Sequence, residues 1–414
     1  MTNHLTSRRG FLRTGAAGLT LAVAAPAYLR AQSAPLKIGH LTPTTGFLGP
    51  LGEYAQMGIK LAVEHINANG GAGGRQVELI MEDSVNPQTA STKAERMFER
   101  DGVDMIIGEI SSASCLTISQ VAARYKKCFV NTGGNSDSLR GQDCNRYMFH
   151  VETQNSMYVN AEGQYFAGEG MVDGKNWYTL SADYAFGHDL LSAAKAFLET
   201  NGGNLVGDDL VPTDATDFSS YLLKIRQAEP DVVALNLAGT QITNFFKQYG
   251  EFGLDFTLGG FGFDTVSAWA AGAQNFRGTW PNVWNHLVQN DASQAFVQAF
   301  SDAFGKPPEN QAWGDYNAGL IMAKAVAEAG DASGDALVGY LESEEAKFDL
   351  MKSRPGYFRP SDHQLIQEIY AITALPASEA QNEWDIFTTS DPVPGADQPL
   401  ESLATAVTGG TCSM

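Results

Sequence analysis

Two parallel α/β sheets in tandem are predicted for this chain by three observations. Strand-like and helix-like patterns alternate along it, glycines stop the helices, and its 414 residues exceed what one core supports. The opening unit shows the pattern. Leu36-Lys37-Ile38-Gly39-His40-Leu41 alternates as a strand does and runs into the loop Thr42-Pro43-Thr44-Thr45-Gly46-Phe47-Leu48-Gly49. Residues 53–69 follow with a helical period that places Met57, Leu61, Ala62, His65 and Ile66 on one face. Gly70-Gly71-Ala72-Gly73-Gly74 ends that helix, because glycine accepts the left-handed conformation a helix terminus needs. A second strand, Val77 to Met81, closes at Glu82-Asp83.

Further strands are predicted at 105–107, 128–130, 177–180, 204–206, 232–235 and 257–259. Helices are predicted at 87–101, 116–125, 158–170, 188–201, 219–228, 240–252, 293–304 and 314–330. Each sheet then takes about 120 residues. In open parallel sheets ligands bind at the carboxyl ends of the strands. In the first sheet those loops are Gly46-Phe47-Leu48-Gly49, Ser111-Ser112-Ala113-Ser114 and Asn131-Thr132-Gly133-Gly134-Asn135-Ser136. A helix start offers unpaired N–H groups, serine hydroxyls extend that donor set, and the glycines let backbone approach a ligand. Such a pocket suits a carboxylate, although the same residues also read as ordinary N-caps and turns.

The chain opens on an export signal. Ser7-Arg8-Arg9-Gly10-Phe11-Leu12-Arg13 is a twin-arginine motif, and the apolar run to Ala27 is too short and alanine-rich to span a bilayer. Cleavage after Ala27 or Ala31 is expected, with residues 1–31 as the signal and a periplasmic mature protein. Cutting after Ala31 removes Arg8, Arg9, Arg13 and Arg30 from 27 basic residues and none from 47 acidic ones, a mature charge of about −24. That charge argues against nucleic acid and anionic membranes as partners.

Four cysteines suit an oxidising compartment. Cys128, in a predicted strand, and Cys144, in a nearby loop, are the preferred disulfide, which leaves Cys115 and Cys412. No CxxC occurs and the seven histidines are scattered, so neither a metal site nor a cofactor is expected. No GxSxG, GxxxxGK[ST] or HExxH is present, and Gly70-Gly71-Ala72-Gly73-Gly74-Arg75 follows a helix, the reverse of a phosphate-binding loop. Catalysis is not expected. A twin-arginine-exported oxidoreductase is the alternative of another class.

The segments IGHLTPTTGFLG, AVEHINANGG and ELIMEDS, with Gly108-Glu109-Ile110-Ser111-Ser112-Ala113-Ser114 and Tyr184-Ala185-Phe186-Gly187, resemble the periplasmic substrate-binding proteins of branched-chain amino acid ABC transporters. The similarity runs from about Leu36 to Leu375. It implies a type I fold: two doubly wound parallel-sheet lobes joined by a three-crossover hinge. Lobe 1 would span 36–150 plus 283–353, lobe 2 would span 151–282 plus 354–388, and 389–414 would be a C-terminal extension. The chain is expected to cross near 149–153, 276–284 and 356–369. It implies a monomer that closes on one small molecule and hands it to ABC permease subunits.

Matched position by position, Ser112 stands where that family binds a ligand carboxylate, with Ser111 beside it. Gly133 falls at a backbone contact, and Asn135 replaces a hydroxyl residue. Phe47 and Leu51 lie in the first loop region, where an aromatic stacks on the ligand. Tyr184 lies in the second-lobe segment, and Phe186 and Ala238 replace tyrosines there. Gly262 stands where amino acid binders carry a glutamate for the ligand ammonium, and Asp264 is its candidate replacement. A buried ammonium without acceptors costs several kcal/mol, so if Asp264 points elsewhere the pocket disfavours zwitterions. Phe47, Tyr184, Phe186, Phe261, Phe263, Trp280 and Trp284 shade the expected ligand toward a hydrophobic or aromatic carboxylate, with branched-chain or aromatic amino acids nearly level and an amide or urea as the alternative.

Overall fold

The computed structural model describes residues 34–404 together with 412 and 414. The twin-arginine segment and both candidate cleavage points lie outside the described residues. Strands β1 (Leu36–Thr42), β2 (Val77–Asp83), β3 (Met105–Gly108), β4 (Phe129–Asn131) and β5 (Met148–His150) form one sheet in the order β2-β1-β3-β4-β5, each pair parallel. Its central strands are apolar on both faces because both are covered. Helix α1 (Gly49–Ala68) lies on the face carrying Ile38, Met105, Ile107 and Val130. Helix α2 (Pro87–Arg96), continued by the π-helical turn Met97–Asp101, and α3 (Ser112–Tyr125) cover Leu41, Ile106 and Phe129 on the other.

The chain then builds the same motif again. Helix α4 (Asn155–Gly168) leads to β6 (Asn176–Ala182), α5 (Ala185–Thr200), β7 (Asn204–Val211), α6 (Ser219–Ala228), β8 (Val232–Asn236), α7 (Thr240–Glu251), β9 (Thr257–Gly259) and α8 (Thr265–Ala271). The second sheet runs β7-β6-β8-β9, again all parallel. Strand β10 (Thr279–Asn282) ends this half, and α9 (Asp291–Phe304), α10 (Asn310–Ala329) and α11 (Gly334–Leu341) return to the first. There α10 lies against α1. A Cβ on Gly58 would stand 2.2 Å from the Ala312 carbonyl oxygen, so glycine is what permits the close approach.

Short strands finish the chain. β11 (Tyr357–Phe358) pairs with β12 (Leu365–Ile366), while β13 (Tyr370–Ala374) pairs with β10 and with β14 (Phe387–Thr389), all antiparallel. The first sheet anchors β12 through a bridge from His150 to Gln364, and β13 packs Ile372 into the second lobe's core beside Trp280 and Phe387. Residues 151–154, 283–290 and 366–370 therefore cross between the two halves, and the chain after β14 comes back beside the last of them through the Ile369–Val393 bridge.

Buried side chains lace two of those crossings together. Gln367 Nε2 donates to Val151 O at 2.7 Å, and Glu152 O accepts from Gln364 Nε2 at 2.9 Å and Arg140 Nη2 at 2.8 Å. Lys352 Nζ donates to Gln367 Oε1 at 2.8 Å and to Glu368 O at 2.6 Å, and burial pushes this ammonium down to about 7. Arg354 Nε donates to the buried Glu368 carboxylate at 2.8 Å. Such a network holds only if every member is satisfied, which ties the geometry of the crossings to named residues.

The disulfide differs from the expectation. Cys144 bonds Cys412, and Cys115 and Cys128 are free thiols, both buried. Cys128 directly precedes β4, and its sulfur turns inward, 3.9 Å from Gly334 O under α11. Cys144 sits in the loop before β5, so the two sulfurs of the expected pair face different surroundings. Arg354 also donates to Pro394 O and Gln398 O, at 2.6 and 2.7 Å, which holds residues 394–398 against the hinge.

Burial raises both free thiols, Cys128 to about 12. Neither is expected to react with a thiol reagent in the folded protein, and both in denaturant. Peptide mapping should recover a 144–412 bridge; a 128–144 bridge would contradict the structure.

Candidate functional site

The loops at the carboxyl ends of both sheets meet in one cleft, which is divided into two cavities. The outer one, of about 310 Å³, is lined by Phe47 and Ser111 from the first lobe and Tyr184 and Thr213 from the second. The inner one, of about 20 Å³, is lined by Asn135, Glu152, Tyr158, Phe186, Ala238, Gly262, Phe263, Asp264 and Gln311, among others. An aromatic partition stands at the boundary. Phe47 meets Tyr184 edge-on at 5.6 Å, and Tyr184 lies 5.7 Å from Phe186.

Three of the sequence-predicted residues thus reach the outer cavity and five the inner. The other three lie elsewhere. Leu51 packs in the core on α1, 1% exposed, and lines neither cavity. Ser112 opens α3 in the interior, where its Oγ accepts from Ser136 N at 3.2 Å. Gly133 is buried, with its N–H given to Asn131 Oδ1 at 3.2 Å.

Main-chain donors near these residues are paired within the first lobe. Gly134 N also donates to Asn131 Oδ1, at 2.7 Å, and Ser111 N to Glu109 Oε1 at 2.8 Å. Burial pushes Glu109 up to about 7 against those donors. The backbone N–H groups of Ser111, Gly133 and Gly134 are therefore used within the first lobe. The hydroxyls of Ser111 and Ser114, which line the outer cavity, remain.

The inner cavity is rich in acceptors. Glu152 is 3% exposed, and its Oε1 accepts from Thr153 N, Thr153 Oγ1 and Tyr158 OH at 2.7, 2.9 and 2.8 Å. Burial nevertheless holds its carboxyl above the usual range, and the Asp264 charge adds to the rise. Asp264 precedes α8 in the second lobe and accepts from Gln311 Nε2 at 2.9 Å and from Asn310 Nδ2, both on the first turn of α10. Burial raises it as well, against those two amides. Glu309 caps α10 through Gln311 N and Ala312 N, at 2.7 and 3.1 Å, and burial and then Asp264 push it well above its ordinary value. The buried Gln311 Oε1 has no hydrogen-bond partner among the described residues. No residue lining this cavity is basic.

Contacts from lobe to lobe surround it. Thr240 N donates to Phe47 O at 3.0 Å, and Asn155 N to Asn135 O at 2.9 Å. A Cβ on Gly239 would come 2.0 Å from Phe47 O, in a backbone conformation (φ 53°) that side chains rarely adopt. Among the described residues no three metal-ligating side chains cluster, and no helix is long and apolar enough to cross a membrane.

Sequence reasoning missed Glu152, Tyr158, Asn310 and Gln311. Glu152 lies in the first crossing, whose position was expected but whose side-chain direction was not. The helix containing Asn310 was expected only from residue 314, although Pro307-Pro308 followed by Glu309 is a helix-start signal. Of the aromatics, Trp280 and Trp284 are both 0% exposed and belong to the cores. Trp280 packs 4.8 Å from Phe263, and Trp284 stacks on Trp313 at 6.4 Å.

Comparison with known proteins agrees with this architecture. A family model described as periplasmic binding protein matches residues 35–379. The Leu/Ile/Val-binding protein homolog 8 of Brucella suis biovar 1 is 27% identical over 327 residues, 76% of this chain and 80% of that protein. The crystal structure of a periplasmic binding protein from Burkholderia mallei is similar with a TM-score of 0.82 and 27% identity, covering 92% of this chain and 99% of that one. A solute-binding protein of an ABC transporter from R. palustris, in complex with benzoate, shares the fold with a TM-score of 0.77 and 23% identity over 86% of this chain and 96% of that one.

The Glu152 carboxyl, raised by the fold, costs stability when it ionises, and that cost disappears as pH falls through its folded value. Tyr158→Phe removes one of its donors. The loss expected is about 1–3 kcal/mol near pH 7 and less near pH 4.5, read by denaturant titration. An equal loss at both would contradict the assignment.

Proposed function

The chain belongs to the periplasmic binding protein family, and on that premise we propose that it is the solute-binding component of an ABC importer, exported by the twin-arginine pathway. It captures a small amino acid with a branched-chain or aromatic side chain by closing its lobes, and delivers it to membrane permease subunits. The chain itself carries out no catalysis in this reading. The observation that carries the ligand assignment is the inner cavity, where Asp264 and Glu152 bring two carboxyls into one space with no basic residue in its lining.

Electrostatics supports the amino acid reading. A buried carboxylate without a counter-charge is costly, and both groups carry that cost as raised proton affinities. An α-ammonium entering the cavity supplies the missing charge and can donate to Asp264, to Glu152 and to the free Gln311 Oε1. A plain carboxylate entering the same cavity would add a further negative charge. Its place is instead toward the Ser111 and Ser114 hydroxyls, with an apolar side chain against Phe47, Tyr184 and Phe186.

Closure follows from binding to both sides. Asp264 and Phe186 belong to the second lobe, and Asn135 and Gln311 to the first, so a ligand touching both sets favours the shut arrangement over the open one. The bonds from Thr240 to Phe47 and from Asn310 and Gln311 to Asp264 join lobe to lobe and add to it. The second reading is an aromatic acid. The aromatic wall of the outer cavity favours it, as does the benzoate held by the R. palustris protein.

Calorimetry separates the two. Leucine, valine or phenylalanine is expected to bind more tightly than benzoate, and Asp264→Ala to weaken the amino acid by about 2–5 kcal/mol, the cost of truncating one partner of a buried charge pair. Benzoate binding above phenylalanine, or amino acid affinity indifferent to Asp264→Ala, would overturn the amino acid reading in favour of the aromatic acid.

A further inference from the structure

A second pair of carboxyls lies between the lobes, outside the ligand cavities. Asp137 opens the short 3-10 helix Asp137–Arg140 of the first lobe, and Asp189 lies on α5 of the second. Asp137 N donates to Asp189 Oδ2 at 2.8 Å, and Ser156 N, on α4, donates back to Asp137 Oδ1 at 3.1 Å. Asn155 Nδ2 adds a bond to Asp189 Oδ2 at 2.8 Å, and the Ser156 hydroxyl donates to Asp137 as well. Both aspartates border a cavity of about 400 Å³ whose other polar walls, Ser156, Asn160, Ser192, Thr200 and Asn201, carry no charge.

We infer that Asp137 and Asp189 form a proton-operated latch, which holds the lobes shut under mildly acidic conditions and weakens as pH rises. The inference rests on the lobe-closure reading above. With the lobes apart each carboxyl meets water and ionises in the ordinary range. With the lobes together they share a partly buried site, and two ionised carboxylates there repel. Arg140 is the cation acting on the pair, but its guanidinium donates to Gly134 O at 2.7 Å, Ser136 O at 3.2 Å, Glu152 O at 2.8 Å and Gln364 Oε1 at 2.8 Å. His188, beside Asp189 on α5, is turned to Asp183 at 2.7 Å. The facing residues of α4, Asn155, Ser156 and Asn160, are neutral.

The sign follows from linkage. Burial first, and the Asp189 charge second, push Asp137 up to about 6 in the shut form, and burial raises Asp189. A carboxyl that holds its proton more tightly when the lobes are shut favours the shut form as pH falls below about 6. For a group moving from 3.8 to about 6, the shut-to-open ratio gains roughly tenfold between pH 7.5 and pH 5.

Small-angle scattering on the full mature protein, without added solute and with saturating leucine or phenylalanine, tests this. The solute-free protein is expected to be more compact near pH 5 than near pH 7.5. The double variant Asp137→Asn/Asp189→Asn, which keeps side-chain acceptors for Ser156 N, for Asn155 and for the N–H of residue 137, should lose most of that response and be compact at both. Glu109 and Lys352 titrate in the same range, so the variant is what isolates the pair. A pH response equal in wild type and the double variant, or none in the wild type while solute still compacts the protein, overturns the latch alone. A radius unchanged by pH and by every solute overturns lobe closure itself.

Discussion

Charge that is buried must be matched, and that constraint organises this molecule more than any other. The cleft holds Asp264 and Glu152 in one cavity, with Glu309 close enough to act on Asp264. Each is supported by neutral donors: amides for Asp264, hydroxyls and a main-chain N–H for Glu152, main-chain N–H groups for Glu309. Neutral donors soften a buried carboxylate but do not cancel it, and all three groups keep raised proton affinities. A site built this way gains most from a ligand that brings a cation.

The fold delivers those groups by repeating one arrangement. The order β2-β1-β3-β4 of the first sheet recurs as β7-β6-β8-β9 in the second, so each lobe offers the loops at its strands' carboxyl ends to the other. The three crossings let α10 return to the first lobe carrying Asn310 and Gln311, which then face Asp264 across the cleft. Arg140, Gln364, Gln367, Lys352 and Glu368 brace the crossings as a buried polar network. That network gives the crossings defined geometry rather than looseness, and any movement of one lobe against the other would pass through it.

Most of the framework was legible in the sequence because it follows from local pattern. The unit from β1 to β2 has apolar periodicity, a glycine stop and an alternating strand, and it folds as strand, helix and strand, with the helix starting at Gly49 rather than near residue 53. Helix α6 matches its expected span from Ser219 to Ala228 and ends where Glu229 turns left-handed. The candidate site was legible only in part. Positions on loops after strands, such as Phe47, Ser111, Tyr184 and Asp264, follow from topology and reach the cavities. Ser112 and Gly133 do not: their polar groups bond neighbours brought close by folding, as Ser136 and Asn131 are. Glu152 and Gln311 come from a crossing and a distant helix, and no local pattern marks either as facing the cleft. The Cys144–Cys412 bridge spans 268 residues, a separation that strand and loop patterns around Cys128 cannot reveal.

The central claim is that the inner cavity receives a cationic nitrogen. A crystal structure with bound phenylalanine tests it most directly. The account predicts the ligand nitrogen within hydrogen-bond distance, about 3 Å, of the Asp264 and Glu152 carboxyls, with the ligand carboxylate turned toward the first-lobe serines. A ligand carboxylate facing that acidic pair, with the nitrogen directed to solvent or to the outer cavity, would contradict it.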